Sequence, residues 1–191
     1  MKILIEGAQG TGKNTLIEAL KLEVPTLNYV LPLRIQGHIR KVSDDVSQML
    51  LITDYTIQML SNKVGVWNRG FLSGLAMTRW LTEEGKLSED VLDFYETLVQ
   101  ERLEFFGYDL VFILEPWSKD VPDDNRRDTD QAVRDIIQQY ILNYAERLKI
   151  PYTLVPATPV SERLQFVMDK IQEKLYTDSP IQDVEIQLVT K

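Results

Sequence analysis

Residues 3 to 16 read ILIEGAQGTGKNTL, an apolar run that breaks into three glycines and a lysine and then resumes at helical spacing. Gly7, Gly12 and Lys13 fit the G-x-x-x-x-G-K spacing in a strand, loop, helix context, which makes the stretch a cradle for a nucleotide's phosphates. Glycines let the backbone turn its N–H groups inward, while the positive end of the following helix and the Lys13 ammonium face the same spot. Gly7, Gln9, Gly10, Thr11, Gly12, Lys13, Asn14 and Thr15 are therefore the candidate phosphate-binding set. One position departs from the motif: a Ser or Thr hydroxyl is expected after the lysine, as a ligand for Mg²⁺, and Asn14 stands there instead. An amide oxygen is also an acceptable donor to a hard cation, so Asn14 stays a metal candidate.

A strand entering such a loop is the first unit of an alternating α/β chain, and the rest of the sequence continues that alternation. Residues 29–33 form a short apolar stretch, the candidate second strand, that ends in a basic loop containing Arg34, Gly37, His38, Arg40 and Lys41. Ser43 can cap a helix marked by Val46, Met49, Leu50, Thr53, Ile57 and Leu60, and residues 64–67 read as a third strand running into Asn68 and Arg69. Helices follow over 73–83 and 88–106, the second with an apolar arc wide enough to pack broadly against the sheet. A fourth strand, 110–114, closes on Glu115 and Pro116. Residues 117–130 are polar and charged, and read as a flap. Val133, Ile137, Tyr140, Ile141, Tyr144 and Leu148 mark the next helix, and residues 152–155 a fifth strand. Thr158 and Pro159 read as the cap and first position of a last helix carrying Leu164, Val167, Met168, Ile171 and Leu175. The expected architecture is a doubly wound, mostly parallel five-stranded sheet with helices on both faces. Residues 1–176 form one domain, with a lid at about 117–130, and residues 177–191 form a C-terminal tail without an assigned role.

Composition narrows the chemistry. The absence of cysteine excludes disulfides and thiolate sites, and the single histidine, His38, cannot build a histidine metal centre. A net charge of −8 argues against an extended nucleic-acid partner while leaving room for a basic cleft that takes a small anion. The N-terminus enters a core strand directly, with no signal core or long apolar span, so the expectation is a cytoplasmic protein with no membrane partner. A homodimer is left open.

Ligands of such sheets lie at the carboxyl ends of the strands, where this chain supplies Arg34, Asn68 with Arg69, and Glu115. Arg126, Arg127 and Arg134 lie in or just after the flap, and phosphoryl transfer requires cations that close over the transferring group. Glu115 is a candidate magnesium contact, and Glu6 a base, a metal-supporting group or a group that orders the loop. Of the three tryptophans, Trp67 and Trp80 suit core packing, whereas Trp117, beyond a strand end, suits stacking on a substrate base.

The segment from Ile5 to Thr15 resembles the phosphate loop of the thymidylate kinase family, F-E-G-x-D-G-x-G-K-[ST]-T, and Asn68 to Ala76, NRGFLSGLA, is similar to that family's D-R-Y-x-x-S-x-x-A segment. Residues 34–39, RIQGHI, align loosely with its R-E-P-G-G-T, and LLITDY at Leu50 to Tyr55 is a fainter echo. The resemblance implies a P-loop nucleoside or nucleotide kinase that uses ATP and Mg²⁺. Lys13 would hold the donor phosphates, Arg69 and Arg34 an acceptor phosphate, and the Arg126 to Arg134 region would act as the lid. The flap VPDDNRR at 121–127 also resembles the lid of the nicotinamide riboside kinase group. The departures are Gln9 for an acid, Asn68 for the aspartate of the D-R-Y segment, Tyr55 for an arginine, and Leu51 where an aromatic is expected to stack on thymine. Residues 29–41 contain no carboxylate to serve as a base for a hydroxyl acceptor, which favours a nucleoside monophosphate. The alternatives are a kinase of a hydroxyl on a nucleoside, nicotinamide riboside, polynucleotide end or modified base, and a non-catalytic ATP-binding switch.

Overall fold

The computed structural model describes residues 1–30, 45–61, 64–105, 107–116 and 131–178. Strand β1 (Lys2–Glu6) leads through the glycine loop into helix α1 (Lys13–Glu23), followed by β2 (Tyr29–Val30), α2 (Asp45–Leu60), β3 (Gly65–Asn68) and α3 (Phe71–Glu83). After α4 (Glu89–Arg102) and one 3₁₀ turn come β4 (Leu110–Leu114), α5 (Gln131–Arg147), β5 (Thr153–Val155) and α6 (Val160–Asp178). All strand pairings among the described residues are parallel, in the order β2-β3-β1-β4-β5. The connection from β1 therefore passes to one side of the sheet's centre and the connection from β3 returns across it. That reversal opens a crevice at the carboxyl end of β1, between β3 and β4.

Period-2 alternation along the central strands builds two apolar layers. Ile3, Ile5, Val66, Phe112, Leu114 and Val155 face α1 and α6, where they meet Leu16, Ile17, Leu20, Val167 and Ile171. Leu4, Trp67, Val111 and Ile113 face the opposite way, toward α2, α3, α4 and α5. Both faces of the sheet are thus buried, and each fully buried Ile or Leu contributes about 1.5–3 kcal/mol relative to exposure. Trp67 is buried in the second layer and Trp80 packs against it, as their positions in the sequence suggested.

Lys2 sits inside this core because its ammonium has a use there. It donates to the carbonyls of Gln58 and Met59, each at 3.0 Å, and of Ser61 at 2.7 Å, at the end of α2. A cation at a helix C-terminus satisfies orphan carbonyls and interacts favourably with the negative end of the macrodipole. The rings of Tyr108 and Trp67 flank it at 4.3 and 5.4 Å.

Two expectations need correction. Helix α4 packs mainly on α3 and α2, because only Val91, Leu92, Tyr95 and Val99 are buried and Phe94, placed in the apolar arc by the sequence, is half exposed. Thr158 does not cap the last helix: its buried hydroxyl has no hydrogen-bond partner, and α6 begins at Val160, with the Pro159 carbonyl accepting from Glu162 and Arg163. Residues 31–33, the basic loop at 34–41, the Ser43 cap, the flap at 117–130 and residues 179–191 lie outside the described residues.

Candidate functional site

The loop after β1 owes its shape to backbone that only glycine takes easily. Gly7, Gly10 and Gly12 have φ of 136°, 77° and 86°, in the left-handed half of the map. A Cβ on Gly7 would lie 2.9 Å from the Leu114 carbonyl oxygen and 3.0 Å from Thr11 Oγ1, so the loop lies against the end of β4 only because that atom is missing. Lys13 Nζ reaches into the ring that the loop makes, donating to the carbonyls of Gly7 at 2.6 Å and Ala8 at 2.5 Å and to Thr11 Oγ1 at 3.1 Å. Helix α1 has no acidic residue in its first turn, so its positive end faces the loop without an internal counter-charge. Gln9 is half-buried in the loop, and Thr15 is exposed in the first turn of α1.

Side chains from two later helices fasten the loop to the sheet. From α5, Gln138 accepts from the Ala8 N–H at 2.8 Å and donates to the Leu114 carbonyl at 3.2 Å. From the first turn of α6, Arg163 donates to the carbonyls of Thr11 at 2.6 Å, Glu115 at 2.8 Å and Pro156 at 2.9 Å. Its guanidinium is almost fully buried, and burial pushes its pKa down from the usual arginine value, with the Glu115 charge pulling the other way.

Glu6, fully buried at the end of β1, accepts from the Ser73 hydroxyl and, at 3.4 Å, from the Ser73 backbone N–H. The carboxylate thereby caps the N-terminal turn of α3. Burial raises its pKa, and the Ser73 bonds and the charges of Lys13 and Arg69 only partly counter that. Arg69, directly after β3, is held in the left-handed region at φ 66°, and its N–H donates to the Ile5 carbonyl at 2.9 Å. Its half-exposed side chain thus stands at the carboxyl end of β3 on a backbone conformation that a non-glycine residue seldom adopts.

The two asparagines that depart from the motifs meet each other: Asn68 Nδ2 donates to Asn14 Oδ1 at 2.8 Å. The remaining oxygen, Asn68 Oδ1, is buried without a partner. Glu115 is turned toward β5, where its carboxylate accepts from the Ala157 N–H at 3.2 Å, so it takes no part in this pair. Arg134 is buried on α5 one turn before Gln138, on the helix face that meets the loop, and donates to Gln131 at 2.5 Å. Tyr55 is a core residue against α3, where a Cβ on Gly74 would meet its ring at 2.7 Å. Leu51 is half-buried against the same layer. Arg34, Trp117, Arg126 and Arg127 lie outside the described residues.

A family model described as AAA domain matches residues 61–163, more than half of the chain. The chain belongs to the AAA domain family. No curated protein matches its sequence. Among solved structures it is similar to deoxyadenosine kinase from M. mycoides with bound dCTP, with a TM-score of 0.69 at 15% identity over 91% of this chain and 100% of that one. It is also similar to thymidylate kinase from Candida albicans, with a TM-score of 0.63 at 16% identity over 91% of each chain. These likenesses establish the fold, a P-loop kinase fold.

The AAA domain segment runs from the approach to β3 to the first turn of α6, ending at Arg163. It contains both residues that grip the loop, and sequence reasoning had singled out neither. Gln138 carries no signal of its own among the many polar residues of α5. Arg163 does carry one: a cation in the first turn of a helix opposes the macrodipole, and so implies acceptors elsewhere that hold it there.

Proposed function

We propose that this chain is an ATP-dependent phosphotransferase whose acceptor is a nucleoside monophosphate. The observation that carries the reading is the junction of β1, α1 and β3. There the Lys13 ammonium lies inside a glycine ring at the positive end of a helix, with Arg69 on the neighbouring strand end in a strained conformation. Left-handed backbone at a non-glycine residue costs on the order of 1–3 kcal/mol and accumulates at functional sites. Arg69 has the planar fork that suits an acceptor phosphate. Lys13 would bind the donor phosphates through exchange of its carbonyl partners for phosphate oxygens, Arg34 would join Arg69, and Arg126, Arg127 and Arg134 would close over the reacting group. Trp117 would stack on the acceptor base.

Magnesium fits the donor set in one respect: Asn14 and Asn68 offer amide oxygens, and the unpartnered Asn68 Oδ1 is a buried acceptor in need of a ligand. Mg²⁺ needs few protein ligands when phosphates supply the rest. Bound there, it would neutralise charge on the transferring phosphoryl group. Glu115, engaged by Ala157, would serve only after leaving that contact. The proposed enzyme is cytoplasmic and acts on small molecules, a choice supported by the net charge of −8. Among the described residues no helix is long and apolar enough to cross a membrane.

The Asn14 to Asn68 hydrogen bond favours a second reading, in which the chain holds ATP without transferring phosphate, because two amides replace groups usually linked to the metal. ADP release measured across matched nucleosides and monophosphates, for the wild type and Arg69→Ala, separates the readings. The proposal expects turnover on a monophosphate and a loss of about ten- to a hundredfold in kcat/KM for phosphorylated acceptors alone in Arg69→Ala. Preference for a nucleoside, or an equal effect on both acceptor types, would establish a hydroxyl acceptor. ATP binding without turnover would establish the switch.

A further inference from the structure

We infer that Arg163 is a positioning residue of the donor site, which sets the direction in which the phosphate loop presents its amides. The inference rests on the reading of the loop as a polyphosphate site. A trans peptide is planar, so its C=O and N–H point to opposite sides, and no cis bond occurs among the described residues. Two peptides of the loop are fixed by this constraint. The Gly7 carbonyl points at Lys13 Nζ, and the N–H of the same peptide, that of Ala8, points the other way, to Gln138. At the peptide joining Thr11 to Gly12 the carbonyl points at Arg163 Nη1, so the Gly12 N–H is directed away from α6.

The guanidinium is well fixed for this purpose. Its three bonds go to carbonyls at the ends of β4 and β5 and in the loop, so the Thr11 carbonyl is referenced to the sheet and not only to its chain neighbours. A cation on that carbonyl also polarises the peptide, which makes the Gly12 N–H a stronger donor. Arg163 Nη1 stands close behind Gly12, 3.5 Å from where a Cβ would lie, which is ordinary contact, and it is the φ of 86° that favours glycine there. The result is a permanent positive charge behind the loop, separated from any bound anion by one peptide plane.

The test compares wild type, Arg163→Gln and Arg163→Lys in two measurements. Deuterium uptake of the peptide covering residues 7–15 reads the loop directly. Calorimetric titration with ATP and with inorganic tripolyphosphate reads phosphate binding with and without the base. The expected result is faster exchange confined to the loop in Arg163→Gln, with affinity for both probes falling by about tenfold or more, the size of one charge-assisted contact. Arg163→Lys, which keeps the charge with fewer donors, should recover part of both losses. Unchanged loop exchange, or equal affinities for both probes in all three proteins, overturns the inference. So does a fall in affinity for ATP but not for tripolyphosphate, which would put Arg163 at the base. If wild type binds neither probe, the reading of the loop as a polyphosphate site fails, and the exchange measurement still decides whether Arg163 sets the loop.

Discussion

Replacing Gln138 with leucine tests whether the loop is held by the sheet or by its own sequence. Gln138 is buried, and among the described residues its amide is the hydrogen-bond partner of the Ala8 N–H, while its other end serves the Leu114 carbonyl. Leucine fills similar space without either function. A buried backbone group left unpaired costs roughly 1–3 kcal/mol, so two of them set a loss of about 2–6 kcal/mol. Burying a leucine in place of an amide offsets on the order of 1.5 kcal/mol of that, which leaves roughly 0.5–4.5 kcal/mol. The upper half of that range is a large fraction of a domain's stability of about 5–15 kcal/mol. Urea denaturation followed by tryptophan fluorescence reads the change, since Trp67 is buried in the layer that α5 covers. Gln138→Glu separates the two ends of the side chain: it keeps an acceptor for Ala8 but faces the Leu114 carbonyl with a second oxygen, so its defect should shrink in acid, where the carboxyl regains a donor. A Gln138→Leu protein within about 0.5 kcal/mol of wild type, the ordinary scatter of surface changes, would refute the reasoning.

Glu6→Gln should stabilise the protein increasingly as pH rises. The native pKa of Glu6 is raised above its ordinary value of 4.5, so its contribution is fully present below that value and is lost as pH climbs through the native pKa. A glutamine escapes the loss, so the stability gap in urea midpoints between mutant and wild type should widen as pH rises; a flat gap, or one that widens toward acid, would show that burial does not raise the Glu6 pKa. Asn68→Asp should bind Mn²⁺ more tightly than wild type when titrated without nucleotide, because a carboxylate replaces the unpartnered amide oxygen. Equal affinity would place the metal away from Asn68.

The alternation of strands and helices was legible because it is local: glycines punctuate the first loop, apolar runs mark β1 and β4, and residues 110–114 are a strand over their whole predicted length. Helix packing was less legible. The apolar arc of α4 includes Phe94, which stays half exposed, and periodicity records which residues are apolar without recording what lies beside them. In the candidate site, Lys13, Asn14, Asn68 and Arg69 were proposed because motif spacing names them, and the structure places them at the junction of β1, α1 and β3. The contact between Asn14 and Asn68 spans 54 positions and has no sequence signature. Glu115 was a metal candidate because it ends a strand, and its contact with Ala157, just after β5, could not be read from sequence because only the fold places β5 beside β4.

The way the loop is fastened bears on how its sequence can depart from the motif. Three helices that follow different strands reach the end of β1 or the loop after it: α3 through Ser73 to Glu6, α5 through Gln138 to Ala8, and α6 through Arg163 to Thr11. None of these contacts uses the side chain at position 9 or 14, where the sequence departs from the pattern. A loop whose backbone is fixed from outside keeps its amides in place when those side chains change, so the departures at Gln9 and Asn14 leave the cradle itself intact. The same logic assigns the cost of change unevenly. Substitutions at 9 or 14 should move catalysis with little effect on folding, whereas substitutions at 138 or 163 should move stability and phosphate affinity together, because there the groups that bind the sheet and the groups that shape the loop are the same atoms.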